Sequence, residues 1–500
     1  PSPFDRSRRQ NFYKFRHLAS GTSNAELEQL RARSALQLKA LGHALSLEQK
    51  EAKCSSANAN YALNPKRFIK KLLNKGEESK LPVEVFYEYS EILSNPPVHP
   101  DANLSESSPL IAAYLHMVRE KRFELPSAPP SISPEFADPI VNRQRNWAAP
   151  GPDGIPFFFV KRCPVFRRKL YRFLDLFLRD PTSAPQSFYA GRTVLIPKTP
   201  VPSSASDVRP ITCLNIGYKI LSATVASVVT DPLLLSGIIP AQQRAIRPGH
   251  QGCFESHFAC ATIMDAFRAT KRRPSVIYID LRKAFDSVPH QLILTIARTV
   301  FSQAPYLVNW INHVLNSLSS VLTLPHGNNP ATIPVKFRAG LPQGDPLSPI
   351  LFNLAISPLS SLITREFELY ASPTLKIPVN HIFYMDDLKI FTTSANPDVK
   401  FKILEQALNS LGLTLNTSKS AILLGKDLSE DFHSPLPVLL DKNSAYKYLG
   451  MKEFRKPCRV LNAEAVMFKA FELIKPILSS GLNTHNTVAA INTFAMSQLW

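Results

Sequence analysis

YIDLRKAFDSVPH (278–290) runs from apolar, β-favouring residues into Asp280 and then changes to a basic pair and a helix-like pattern. Asp280 is therefore expected at the end of a strand, where the chain turns into a helix. About 105 residues later, FYMDDLKIF (383–391) sets Asp386 and Asp387 between two short apolar segments, a strand–turn–strand pattern. Charged residues at a hairpin tip are ordinary. Adjacent anions between apolar strands are less so, because they repel unless a cation intervenes. Three carboxylates and a triphosphate suit two Mg²⁺ ions about 4 Å apart, bound through oxygen ligands. Asp286 has a plainer reading, as the cap of a helix beginning at Ser287.

Outward from these acids, strands are expected at 192–197, 275–281, 381–385 and 388–392. Helices are expected at 107–121, 157–179, 215–229, 253–269, 288–301, 305–319, 347–366 and 397–411. This is a mixed α+β order containing a hairpin, not a regular βαβ barrel. Between the acids lies AGLPQGDPLSPILFNL (339–354). Gly340 and Gly344 would permit close backbone approach to a base pair, and Gln343 offers an amide donor and acceptor. Pro346 and Pro349 suit the first turn of a helix, and LFNLAI reads as buried. Toward the N-terminus, Ser23 and Glu26 make a capping-box pattern ahead of a helix to about Lys53. Its leucines (27, 30, 38, 41 and 45) cover too few heptads for a coiled coil. NPKRFIKKL (64–72) starts a second, basic helix, a proline-rich tract follows over 95–150, and the final 45 residues are helical by period.

The composition agrees with a large globular chain that acts on a polyanion. Of 500 residues 44% are hydrophobic and 19% charged, with 43 prolines and a net charge of +19. From 151 to 279 there are 17 Lys and Arg against 7 Asp and Glu. Such a surface attracts nucleic acid, with acidic membrane as the rival. The best apolar run, near 350–363, is interrupted by Asn353 and Pro358, so no membrane span is expected. The six cysteines show no CxxC spacing and read as reduced thiols of an intracellular protein. The chain begins at a proline and ends within an apolar helical pattern, and both ends read as cuts.

YMDD in a strand–turn–strand, YIDLRKAFD, and AGLPQGDPLSPILFNL resemble, in order and spacing, the metal-binding and positioning motifs of reverse transcriptases. The resemblance covers roughly 147–455. It implies an α+β right-hand polymerase fold: fingers, a palm with an antiparallel sheet and catalytic hairpin, the start of a helical thumb, and a helical N-terminal extension. The boundaries it implies are 1–75 for the basic extension, 76–146 for a linker and early fingers, 147–274 for fingers, 275–455 for palm, and 456–500 for the start of the thumb. Asp280, Asp386 and Asp387 would bind two Mg²⁺, with Mn²⁺ as a substitute. WAAPGPDGIP (147–156) resembles an early fingers motif. TVLIPKTPVPSSASDVRPITCLN (193–215) resembles the fingers hairpin in which Lys198 and Arg209 contact the triphosphate. Lys419, in LNSLGLTLNTSKSAIL (408–423), matches the lysine proposed to protonate pyrophosphate, and YKYLGM (446–451) resembles the start of the primer grip. Gln343 and Gly344 would position template and nucleotide, and Phe285 would exclude a ribose 2′-hydroxyl.

IPAQQRAIRPGHQG (239–252), together with PGPDG, KAFDSVPH and FYMDDLK, is similar to the non-LTR retrotransposons, above all the site-specific clade with a restriction-like endonuclease. Retroviral enzymes lack that insert, and group II intron proteins usually carry Ala where Met385 stands. The resemblance implies template RNA, dNTPs and a DNA primer or nicked target DNA as partners. It also implies RNA binding by Lys66, Arg67, Lys70 and Lys71, and a nuclear protein with a cytoplasmic ribonucleoprotein stage. Two rivals stand beside it. An RNA-dependent RNA polymerase would carry Gly-Asp-Asp where this chain has Met-Asp-Asp. A nucleic-acid scaffold would have lost its metal ligands, and all three aspartates are present.

Overall fold

The computed structural model describes residues 24–72, 81–96, 99–250, 252–269, 274–323, 332–367, 379–393, 397–425, 445–454 and 459–498. Its strands are β1 (Ala190–Pro197), β2 (Val208–Leu214), β3 (Ser275–Ile279), β4 (Ser319–Thr323), β5 (Thr332–Lys336), β6 (His381–Tyr384), β7 (Asp387–Thr392), β8 (Ala421–Leu423), β9 (Ala445–Tyr448) and β10 (Met451–Phe454). Helices separate most of them, so the chain is α+β. Two compact units divide it: Ser79–Cys458, and the described parts of 1–78 with 459–500.

In the larger unit, an antiparallel sheet runs β6-β7-β3-β8. All five residues of β3, SVIYI, are buried, which is why this strand reads as a continuous apolar run and not as an alternation. Helix Ser348–Glu366 is buried along most of its length. A second sheet runs β2-β1-β4-β5, with β1 and β4 parallel. β2 and β5 contain Pro210 and Pro334, which obscure both strands in the sequence. Each lies at a sheet edge, where a missing N–H is tolerated. β9 and β10 form a ribbon whose turn residues, Leu449 and Gly450, both take positive φ (44° and 89°), as a tight two-residue hairpin requires.

Three expectations need correction. The helix expected over 157–179 is two, Phe157–Arg162 and Pro164–Arg179, because Pro164 has no N–H to continue the first. The first helix runs on to Leu63, stopping just before Pro65; Ser23 of the capping box lies outside the described residues. Helix Ile216–Leu235, outside the apolar run near 350–363, is long and apolar enough to cross a bilayer. Half of its apolar stretch is buried, and Tyr218, Leu221, Val225 and Val229 are core residues.

In the smaller unit, helix Asn24–Leu63 packs at its C-terminal end. Tyr61 and Ile69 share a cluster with Ile477 and Ala490. Asn58 Oδ1 accepts from the Asn483 N–H (2.9 Å) and from Asn486 Nδ2 (2.8 Å). Leu38, Leu41 and Leu45 are exposed, and the side chains of Leu27 and Leu30 lie outside the described residues.

Candidate active site

β3 pairs antiparallel with β7 through Ile279 and Leu388, and one further step along the ladder brings Asp280 opposite Asp387. β7 pairs with β6 through Tyr384 and Asp387, which leaves Met385 and Asp386 as a two-residue turn. Met385 takes φ 55°, the sign such a turn needs at its first position. The sheet therefore gathers all three aspartates at one end. Asp280 is further tied to the segment 414–420. Its carbonyl accepts from the Asn416 N–H (2.9 Å), its own N–H donates to Ser420 Oγ (3.0 Å), and its Oδ2 accepts from Asn416 Nδ2 (2.8 Å).

The electrostatics follow from this crowding. Burial, then the charges of Asp386 and Asp280, push the Asp387 carboxyl up to about 7. Burial also raises Asp386, and the Asp280 charge adds to it. Asp280 is raised by burial against the opposing pull of Lys419, the Asn416 hydrogen bond and Lys198. Carboxylates that destabilise one another as anions, with oxygen as the only donor, fit a hard divalent cation. Among the described residues no three acidic, His or Cys side chains converge on one point. Asp280 acts on both Asp386 and Asp387 through its charge, and Asp386 on Asp387.

Lys198 and Lys419 act on Asp280 through their charge. Partial desolvation lowers the Lys198 ammonium, as do the charges of Lys419 and Arg209, so the three cations lie within one another's field. Lys198 Nζ donates to the Ser206 carbonyl (3.0 Å) across the turn between β1 and β2. Arg209 and Lys419 are exposed. Phe285 is half-buried, its ring stacked on Phe352 at 4.5 Å between centroids and 14° between planes.

The glycines of 339–354 let protein backbones approach each other. A Cβ on Gly340 would meet the Asp286 carbonyl at 2.5 Å, and one on Gly344 the Thr212 carbonyl at 2.5 Å. Gly340 takes φ 76° and Gly344 φ 131°, conformations that favour glycine. The Gln343 carbonyl accepts from the Thr212 N–H (2.8 Å), locking this loop to β2. Asp286 is not a helix cap either. It lies inside the turn Ala284–Ser287, is 7% exposed, and accepts a hydrogen bond from the Tyr89 hydroxyl (3.2 Å). WAAPGPDGIP is a cap at long range, since Asp153 Oδ2 accepts from the Ile216 N–H (2.7 Å) at the start of helix Ile216–Leu235.

Lys66 and Arg67 are exposed on helix Pro65–Leu72, in the other unit; the side chains of Lys70 and Lys71 lie outside the described residues. Cys54, Cys163, Cys213, Cys253 and Cys260 are free thiols. Sequence reasoning missed Asn416, Gln243, Asn353 and Tyr89. Asn416 stands in the motif quoted for Lys419, three residues before it, and Gln243 in the insert quoted only as a family mark. No spacing rule connects either one to its partner.

A profile described as "Reverse transcriptase (RNA-dependent DNA polymerase)" matches residues 196–452. The chain is 29% identical over 282 residues to the Retrovirus-related Pol polyprotein from type-2 retrotransposable element R2DM of Drosophila melanogaster, covering 54% of this chain and 24% of that protein. It is 24% identical over 427 residues to the Transposon TX1 uncharacterized 149 kDa protein of Xenopus laevis (82% and 31%). It is 27% identical over 319 residues to the Retrovirus-related Pol polyprotein from type-1 retrotransposable element R2 of Popillia japonica (61% and 42%). The chain thus spans between a quarter and about two fifths of the length of these relatives.

Proposed function

Because the chain belongs to the reverse transcriptase family, we propose that it copies template RNA into cDNA by two-metal nucleotidyl transfer, as part of a non-LTR retrotransposon protein. The observation that carries this reading is the β3–β7 register, which sets Asp280 beside Asp387 with Asp386 in the adjoining turn. Reverse transcriptase domains use divalent metal ions, and here Asp280, Asp386 and Asp387 would hold two Mg²⁺. Bound there, the ions would lower the pKa of the primer 3′-hydroxyl and offset the charge of departing pyrophosphate.

The chain's own side chains supply the rest. Asn416, by holding Asp280 Oδ2, leaves the other oxygen of that carboxylate for a ligand. Lys198 and Arg209 bind the triphosphate, Lys as a point charge and Arg as a fork. Lys419 remains the proton donor to pyrophosphate. Phe285 leaves no space for a 2′-hydroxyl, and Gln343 and Gly344 form the loop under the template–nucleotide pair. In this reading 147–274 are fingers, 275–455 palm and 456–500 the start of a thumb. The helical extension 1–75 holds RNA through Lys66, Arg67, Lys70 and Lys71, and 76–146 are a linker and early fingers. The protein acts in the nucleus on nicked target DNA, after a cytoplasmic ribonucleoprotein stage.

The test is primer extension on an RNA template with Mg²⁺, comparing dNTPs with rNTPs, for the wild type and for Asp386→Ala and Asp280→Ala. Both variants should lose extension while nucleic-acid affinity stays within about twofold, since other residues hold the strands. Near-normal extension by Asp386→Ala would sink the assignment. A wild type that binds RNA and never extends would support the scaffold reading instead.

A further inference from the structure

The turn that carries Asp386 is an awkward one, because a residue with a Cβ is disfavoured at the φ of 55° that Met385 adopts. A single side chain holds it there. Gln243 is 3% exposed, and its amide grips Met385 from both sides. Its Oε1 accepts from the Met385 N–H (3.0 Å), and its Nε2 is 3.4 Å from the Met385 carbonyl, to which it donates. The same Oε1 accepts from the Ala245 N–H (3.2 Å), and the same Nε2 donates to Asn353 Oδ1 (2.5 Å). This is the full complement of a side-chain amide, and it fixes the orientation: a flipped amide would oppose two N–H donors with a third.

The surroundings make the grip rigid. Asn353 is 1% exposed on the buried helix Ser348–Glu366, and its Nδ2 lies 3.7 Å from Met385 Sδ. The backbone beside Gln243 runs as a short parallel bridge along β6, with the Arg244 N–H donating to the Phe383 carbonyl (3.0 Å) and the Phe383 N–H to the Gln242 carbonyl (2.9 Å). Three segments far apart in sequence thus meet on one residue of the turn. The Met385 carbonyl belongs to the peptide unit that continues into Asp386, so the orientation of that peptide sets where the Asp386 carboxylate points.

We propose that Gln243, braced by Asn353, is a positioning residue that holds the Met385–Asp386 turn in its left-handed form and so aims Asp386 for catalysis. This rests on the reading of Asp386 as a metal ligand, but the grip itself does not. Gln243→Met keeps length and apolar volume and removes every hydrogen bond. Hydrogen–deuterium exchange of the peptide spanning 383–391, in metal-free protein, should accelerate at least about tenfold in this variant. Single-turnover extension should slow at least about tenfold, with primer–template affinity within twofold and the half-saturating Mg²⁺ concentration raised several-fold. Adding Met385→Gly should restore at least about threefold of the lost rate, because glycine takes φ 55° without a clamp. A residue that merely filled the core would not be rescued in this way. Unchanged exchange in Gln243→Met would overturn the clamp, as would a rate within twofold of wild type or the absence of rescue in folded protein. Accelerated exchange in a protein whose wild type does not polymerise would leave the clamp standing and remove the catalytic reading. Should Gln243→Met fail to fold, Asn353→Leu, which removes only the brace, is expected to show the same exchange change at smaller size; no change there would count against the proposal.

Discussion

Replacing Asp286 by Asn should stabilise the protein increasingly as pH rises. Asp286 is 7% exposed beneath helix Val83–Ser94, whose Tyr89 hydroxyl donates to it at 3.2 Å. Burial pushes its carboxyl up from 3.8 to about 6, against the pull of the Tyr89 hydrogen bond, Lys283 and Lys198 and with a push from Asp386. A folded pKa raised above the unfolded value means that the fold prefers the protonated acid. The fold then loses stability as pH climbs from about 4 to about 6 and no more beyond. About two pK units correspond to roughly 3 kcal/mol in all, of which about 2 kcal/mol falls between pH 4.5 and 8. Asparagine keeps an acceptor for Tyr89 and has no charge to desolvate. The advantage of Asp286→Asn over wild type should therefore grow by about 2 kcal/mol over that range. Urea denaturation at several pH values measures it, read from the fluorescence of Trp310, which is fully buried in the same unit. With an m value near 3 kcal/mol/M the midpoint difference between the two proteins should widen by roughly 0.7 M. A difference between variant and wild type that stays the same at every pH would refute the reasoning.

Phe285→Val should raise the use of rNTP relative to dNTP at least about tenfold, about 1.4 kcal/mol of lost discrimination, in single-nucleotide insertion with dGTP and GTP. It should also cost roughly 1–2 kcal/mol of stability, since the ring stacks on Phe352; an unchanged ratio in folded, active protein would place the gate elsewhere. Lys389 is buried in β7, 2.5 Å from Glu453 Oε2, with the rings of Tyr278 and Tyr448 within 5.3 Å and 5.1 Å. Lys389→Met should destabilise by roughly 2–3 kcal/mol by removing the cation beside Glu453, which keeps the Tyr278 hydroxyl (2.6 Å) as a neutral partner, and adding Glu453→Gln should recover about half, measured by denaturation; a single variant as stable as wild type would contradict this. Charge reversal at Lys66 and Arg67 should weaken binding of template RNA, flatten its salt dependence, and leave dNTP affinity unchanged; equal salt slopes in filter binding would argue against the assignment.

Much of the site was legible from local pattern. A β-rich run ending in Asp280 and an apolar–Asp–Asp–apolar hairpin are short-range signals, because strand period, turn chemistry and the helix that starts at Ser348, with Pro349 in its first turn, each depend on a few neighbouring residues. The strands that went unread had prolines, as in β2 and β5, or spanned only three to five residues, as in β4, β8, β9 and β10; there local preference is weak and only pairing partners decide. Tertiary structure alone decided which backbones Gly340 and Gly344 admit, since those at Asp286 and Thr212 are distant in sequence or belong to another element. It alone turned Asp286 from a helix cap into a buried acid. It alone placed Asn416 against Asp280 and Gln243 against Met385, 136 and 142 residues away. The identity of the acids follows from residue type and spacing. Their aim depends on hydrogen bonds between segments that meet only when the chain is folded.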